Sequence, residues 1–213
     1  MRPRSLLGLV LVAMLGTACA QADESANAPV EQAGLETAYF AGGCFWCTEA
    51  DFEKLDGVAE AVSGYMGGKV ASPSYKEVSR GTTGHTEAVR VHYDPEVISY
   101  RALVAFHWRN IDPTVANRQF CDRGSQYRSG IYYRDDAQAR IARDSLETMQ
   151  QRFDTVHTEV EKATTFYPAE DYHQDYADKN PLRYQAYRFN CGRDARLKKL
   201  WGDEAGKLPA DAG

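Results

Sequence analysis

Two cysteines stand three residues apart in the stretch GGCFWCTEADFEKLDGV, which begins at Gly42. They are Cys44 and Cys47, and the chain holds five cysteines in all, with Cys19, Cys121 and Cys191. Three kinds of chemistry suit such a pair. A zinc centre needs a second half, and Cys121 and Cys191 stand alone, with no closely spaced histidine pair to replace them. No metal is therefore expected. A structural staple explains the pair poorly, because closing so short a loop removes little chain entropy. A reactive thiol explains it best. Cys44 lies where a glycine pair meets a helix-like run. Free backbone N–H groups and the helix dipole there favour a thiolate, so the position predicts a lowered thiol pKa and a nucleophile. Its target is a soft or oxidised centre: a disulfide, a peroxide, an acyl group or a sulfoxide.

Two further features narrow that choice. Phe45 and Trp46 follow the nucleophile directly, and aromatic faces suit a small apolar group such as a methyl or a sulfur. Glu87 falls in a strand-like run from Thr86 to Tyr93, with the same parity as Val89, Val91 and Tyr93. That is the apolar face of the strand. A carboxyl held there loses solvation, its pKa rises, and it stays protonated near neutrality as a proton donor.

The elements that must carry these residues can be read coarsely. Strands are expected at 37–43, 59–65, 86–94, 130–134 and 157–167. Helices are expected at 48–55, after a Ser99 cap, after Asp135 or Asp136, at 169–180, and at 192–202. Two long polar loops, 66–85 and 112–129, invite function. The mixture predicts an α+β fold: a two-layer sandwich, a mixed β-sheet with flanking helices on one side and a ferredoxin-like core. One catalytic domain should span 37–203, with a flexible tail at 204–213. The first 20 residues have the basic start, apolar run and small-residue site of a secretory signal. Residues 21–36 read as a disordered tether. Cleavage after Ala20 gives a soluble exported chain, whereas a lipid on Cys19 gives an anchored one; either product is periplasmic. A net charge of −5 without a basic stripe argues against nucleic acid.

The segments GGCFWCTE, SGYMGG, SPSYKEVSRGTTGHTEAVRVHYDP, FCDRGSQYRSGIYY and FYPAEDYHQDY follow in order. Together they resemble the A-type peptide methionine sulfoxide reductases over nearly all of 37–202. The resemblance implies thiol-dependent reduction of the S-epimer of methionine sulfoxide, free or in proteins, and repair of oxidised exported proteins. It implies Cys44 as nucleophile, Phe45 and Trp46 as the methyl pocket, and Glu87 as proton donor. Tyr75 and Tyr127 would bind the sulfoxide oxygen. Asp122 would support the pocket, and His173 is a further, packing-type candidate. No cofactor is implied beyond an external thioredoxin-like dithiol reductant, and a monomer is expected. A thioredoxin-like disulfide oxidoreductase is the rival enzyme, but it leaves Glu87 and Tyr127 without a role.

Many relatives carry Gly in place of Cys47 and Asn in place of Cys121, so the resolving step cannot be copied from them. Cys47 is the first candidate to condense with a Cys44 sulfenic acid. Cys191, on an expected mobile end segment, is the second, with a relay through both also open. Cys121 is the third and is expected to be a buried small residue beside Asp122.

Overall fold

The computed structural model describes residues 34–209. The expected signal, the Cys19 lipid site and most of the tether lie outside the described residues. A six-stranded sheet runs in the order β7-β6-β1-β3-β2-β8. Its strands are β1 (Glu36–Gly42), β2 (Val58–Met66), β3 (Thr86–Tyr93), β6 (Ser129–Tyr133), β7 (Glu159–Lys162) and β8 (Tyr167–Pro168). Only β6 and β7 pair in parallel; every other pairing is antiparallel, so the sheet is mixed. A two-residue ribbon, β4 (Arg118–Gln119) with β5 (Asp122–Arg123), stands apart from it.

Alternation along the strands sends Ala38, Phe40, Val89, Val91, Tyr93 and Ile131 to one face, where they are buried. Three helices cover that face: α1 (Phe45–Phe52), α3 (Tyr100–Trp108) and α4 (Asp136–Arg152). They contribute Phe52, Leu103, Trp108 and Ala142 to the same core. Each large apolar side chain sealed there contributes roughly 1.5–3 kcal/mol. Ser99 and Asp135 start α3 and α4 as the expected caps, accepting the N–H groups of Ala102 and Gln138. The architecture is thus the expected α+β fold, helices against a mixed sheet.

The second half departs from the expected elements in three places. Residues 157–167 do not form one strand. β7 pairs with β6 at one edge of the sheet and β8 pairs with β2 at the other. The chain between them packs Ala163 and Phe166 on the second face, against Ala41, Met66, Ala88 and Tyr132. Residues 169–180 do not form one helix either. A 3-10 turn at Asp171–His173 is followed by a left-handed Asp175 and the short helix α5 (Tyr176–Lys179). The physical reason is Gln174, whose amide accepts the Ser63 N–H at 2.9 Å and donates to the Ser63 carbonyl at 3.0 Å. A side chain that serves a strand edge cannot also sit in a straight helix. Third, Pro181 does not merely stop a helix. It opens one, α6 (Pro181–Asn190), at the first position, where a missing N–H costs nothing. Helix α7 (Arg193–Trp201) then closes the fold. The start of the tail expected to be loose is held in place: Glu204 pairs with Arg109 and Arg152, and the Gly206 N–H reaches the Arg109 carbonyl.

Candidate active site

Cys44 is the residue just before α1, with a non-helical backbone. Gly43 ahead of it has φ +85, and a Cβ there would lie 2.5 Å from the Gln119 Cβ. Only glycine makes that turn and lets the 112–129 loop approach. The turn aims Cys44 toward β3, the next strand but one in the chain. There Glu87 is buried on the apolar face, 2 % exposed, and its Oε2 accepts the Phe45 backbone N–H at 2.9 Å. The first free N–H of the helix is therefore spent on Glu87, not on the Cys44 sulfur.

That arrangement corrects one expectation. The Cys44 thiol is not lowered; burial pushes it well above the ordinary thiol value, and Cys47 and Glu87 push it further. Cys47, also buried, is pulled the other way to about 7, first by its hydrogen bond with Cys44. The two thiols behave as one unit in which Cys44 keeps the proton. Burial also drives the Glu87 carboxyl up to about 8, against the opposing pull of the Phe45 N–H. Glu87 is thus a neutral acid at neutral pH, with one oxygen held and the other available.

Around them lies a pocket of about 70 Å³. Cys44, Phe45, Trp46, Tyr75, Glu87, Asp122 and Tyr127 all line it, and so does Tyr187. Tyr75 opens the short helix α2 (Tyr75–Val78), and its N–H donates to Glu170 Oε1 at 2.8 Å. The other Glu170 oxygen accepts the Tyr65 hydroxyl at 2.9 Å. Burial pushes the Tyr75 phenol up to about 12 and raises Tyr127 as well, so both remain hydroxyl donors. A polar group entering the pocket meets two phenols, a carboxylic acid and a sulfur. An apolar group meets the Phe45 and Trp46 rings.

His173 does not line the pocket. It is buried behind it, and its Nδ1 accepts the Trp46 indole N–H at 3.0 Å. Burial lowers its pKa, which keeps the ring neutral and able to accept. Tyr176 stacks flat on Trp46 with ring centres 3.6 Å apart. His173 and Tyr176 together fix the indole that the sequence alone placed in the pocket wall.

The remaining cysteines differ from expectation. Cys121 is exposed rather than buried, and it forms a disulfide with Cys191. Cys191 is not on a mobile end; it caps the C-terminus of α6. Among the described residues, Cys44 and Cys47 are the free thiols. The residue missed in the sequence is Tyr187. Its signal was an aromatic pair three apart, Tyr184 and Tyr187, on a helix that went unread.

A family profile described as peptide methionine sulfoxide reductase matches residues 36–205. The chain belongs to that family. The peptide methionine sulfoxide reductase MsrA 2 of Caulobacter vibrioides is 50 % identical over 169 residues, covering 78 % of this chain and 86 % of that protein. Among solved structures, methionine sulfoxide reductase A of Corynebacterium diphtheriae superposes with a TM-score of 0.69 at 38 % identity. That match covers 71 % of this chain and 78 % of the other. Mxr1 of Saccharomyces cerevisiae in complex with Trx2 matches with a TM-score of 0.51 at 26 % identity, over 71 % of this chain and 91 % of that one. The chain is an oxidoreductase acting on methionine sulfoxide.

Proposed function

We propose that Cys44 removes the oxygen from the S-epimer of methionine sulfoxide, free or in a protein, while Glu87 protonates it. The observation that carries this is a neutral, buried carboxyl lining the same small pocket as a nucleophilic sulfur. A sulfoxide is a poor electrophile until its oxygen is protonated or hydrogen-bonded. Glu87 gives the proton, and Tyr75 and Tyr127 hold the oxygen. The methyl lies against Phe45 and Trp46. Oxygen donors on one side and rings on the other admit one hand of the sulfoxide. The sulfur of Cys44 takes the oxygen and becomes a sulfenic acid, and methionine leaves.

Cys47 then condenses with the sulfenic acid, forming the Cys44–Cys47 disulfide and releasing water. Support comes from chemistry and place. Cys191 is bonded to Cys121, whereas Cys47 is a free thiol one turn from Cys44. A helical Cβ spacing of about 5–6 Å exceeds the roughly 3.5–4.5 Å of a disulfide, so the first turn of α1 must open. An external thioredoxin-like dithiol reduces the bond by exchange and is itself oxidised. The sequence of residues 1–20 supports export, and hence repair of proteins outside the cytoplasm.

Peptide mapping after one equivalent of sulfoxide, without reductant, tests this reading. A Cys44–Cys47 bridge is expected in the wild type, sulfenic acid should accumulate in Cys47→Ser, and Cys44→Ser should form no methionine. Normal turnover by Cys44→Ser would remove the nucleophile assignment. Intact mass of the mature protein from membrane and soluble fractions separates a chain starting at Gln21 from one lipidated at Cys19.

A further inference from the structure

Helix α6 brings to the pocket a group that the reaction above leaves unused. The Tyr187 hydroxyl donates to Asp122 Oδ2 at 2.5 Å. Tyr187 and Cys44 line the same small pocket, where the phenol works to lower the Cys44 thiol against its burial. Its ring meets Trp46 edge-on, with centres 5.9 Å apart. Carboxyl and phenol are hydrogen-bonded, and phenol and thiol face one small pocket, so the three groups lie in series.

The ends of this chain come from distant parts of the sequence, and a covalent bond joins those parts. Cys121 directly precedes Asp122. Cys191 lies one helical turn after Tyr187, and its N–H donates to the Tyr187 carbonyl at 2.9 Å. The Cys121–Cys191 disulfide thus fastens the loop of Asp122 to the helix of Tyr187. A phenol has one proton and two acceptor pairs, so Tyr187 can take a proton on the Cys44 side as it gives one to Asp122.

We propose that Asp122 deprotonates Cys44 through Tyr187, and that the Cys121–Cys191 disulfide is the clamp that keeps this relay in register. The proposal rests on Cys44 being the nucleophile. Its proton balance complements that of Glu87. As the sulfur attacks, its proton passes to the Tyr187 oxygen, and the Tyr187 proton passes to Asp122 Oδ2. Glu87 meanwhile gives its own proton to the sulfoxide oxygen. Both reset when the sulfenic acid condenses with Cys47: Asp122 returns its proton through Tyr187 to the leaving hydroxide, which departs as water, and Glu87 takes the Cys47 thiol proton. The relay meets a need set by the site, since Cys44 is buried and does not ionise by itself. Burial raises Asp122 above an ordinary aspartate and so makes it a stronger base, although Tyr187 and Arg193 pull against that. The other titratable groups facing Cys44 are Cys47, Glu87, Tyr75 and Tyr127. Asp122 and Tyr187 are catalytic in this scheme, and the disulfide is a positioning element.

The test reads Cys44 without substrate, so it stands apart from whether sulfoxide is the target. Alkylation of Cys44 by iodoacetamide is followed against pH by peptide mass spectrometry, in a Cys47→Ser background so that one buried thiol reports. Tyr187→Phe keeps the ring on Trp46 and removes the hydroxyl. The expected result is an upward shift of the alkylation midpoint, together with a loss of single-turnover rate of about 10²-fold and little change in KM. The pair Cys121→Ser/Cys191→Ser should shift the midpoint in the same direction. Adding Tyr187→Phe to it should shift the midpoint no further, because coupled changes do not add. An unchanged profile in Tyr187→Phe overturns the relay. A disulfide-free protein that melts earlier but alkylates and turns over once like wild type overturns the clamp. If that protein is recycled poorly by thioredoxin, the disulfide is an exit for oxidising equivalents instead.

Discussion

At the scale of single residues the site works by desolvation. Glu87 on the apolar face of β3 was legible, because strand parity is a two-residue rule and a carboxyl on the wrong face stands out. The Cys44 thiol was misjudged for a reason of the same size. A helix does follow Cys44, starting at Phe45 rather than at the expected Thr48, yet the N–H expected to stabilise a thiolate is bonded to Glu87. Which of two acidic groups takes a helix N-terminus depends on a contact 42 residues away in sequence. The Glu87 assignment has a definite pH signature. Its folded value, about 8, lies above the ordinary 4.5, so the acid form persists through neutrality and is lost as pH rises through about 8. The single-turnover rate with methionine sulfoxide should carry a falling limb there. Glu87→Gln should lose about 10²–10⁴-fold and lose that limb as well. A variant that keeps the limb would move the proton donor to another group.

At the scale of elements, strands and caps were readable and the segment after residue 157 was not. Alternation marks β1, β2 and β3, and Ser99 and Asp135 mark their helices by chemistry local to one turn. In contrast, β7 and β8 lie at opposite edges of the sheet, and Gln174 acts on Ser63 across 111 positions. No window of sequence contains such pairings. They matter to the site, since the broken segment supplies His173 and Tyr176 to hold Trp46. The joint between α1 and α5 also yields a prediction. Glu49 is buried in α1, and desolvation, with the Glu53 charge beside it, pushes its carboxyl to about 8. The folded protein then holds a proton there that the unfolded chain releases above about 4.5. The stability linked to this group is complete below that value and declines as pH rises through about 8. Compared with Glu49→Gln, wild type should therefore lose stability between about pH 5 and 8 in urea unfolding. Parallel curves for the two proteins across that range would show that Glu49 is already ionised in the fold.

At the scale of the whole molecule, the four cysteines among the described residues divide into two pairs with opposite roles. One pair is three residues apart, buried and free; the other is separated by 70 residues and bonded. The motif that draws attention in the sequence is the reactive one, and the lone cysteines that it overshadows are the structural pair. Chain entropy explains the division. A bond across three residues restrains the unfolded chain little, so Cys44 and Cys47 can open and close in each cycle at small cost to the fold. A bond across 70 residues restrains it strongly, by up to about 4 kcal/mol. It also ties α6, which no strand of the sheet holds, to the loop beside the pocket. Unfolding the unreduced protein should expose two titratable thiols from the four cysteines of the folded domain. Urea unfolding of Cys121→Ser/Cys191→Ser should show a loss of a few kcal/mol, about the size given above, at an m-value increased by the more open unfolded chain. A loss near zero would mean that α6 and the 112–129 loop hold together through Tyr187, Asp122 and their packing alone, leaving the disulfide no share in the stability of the fold.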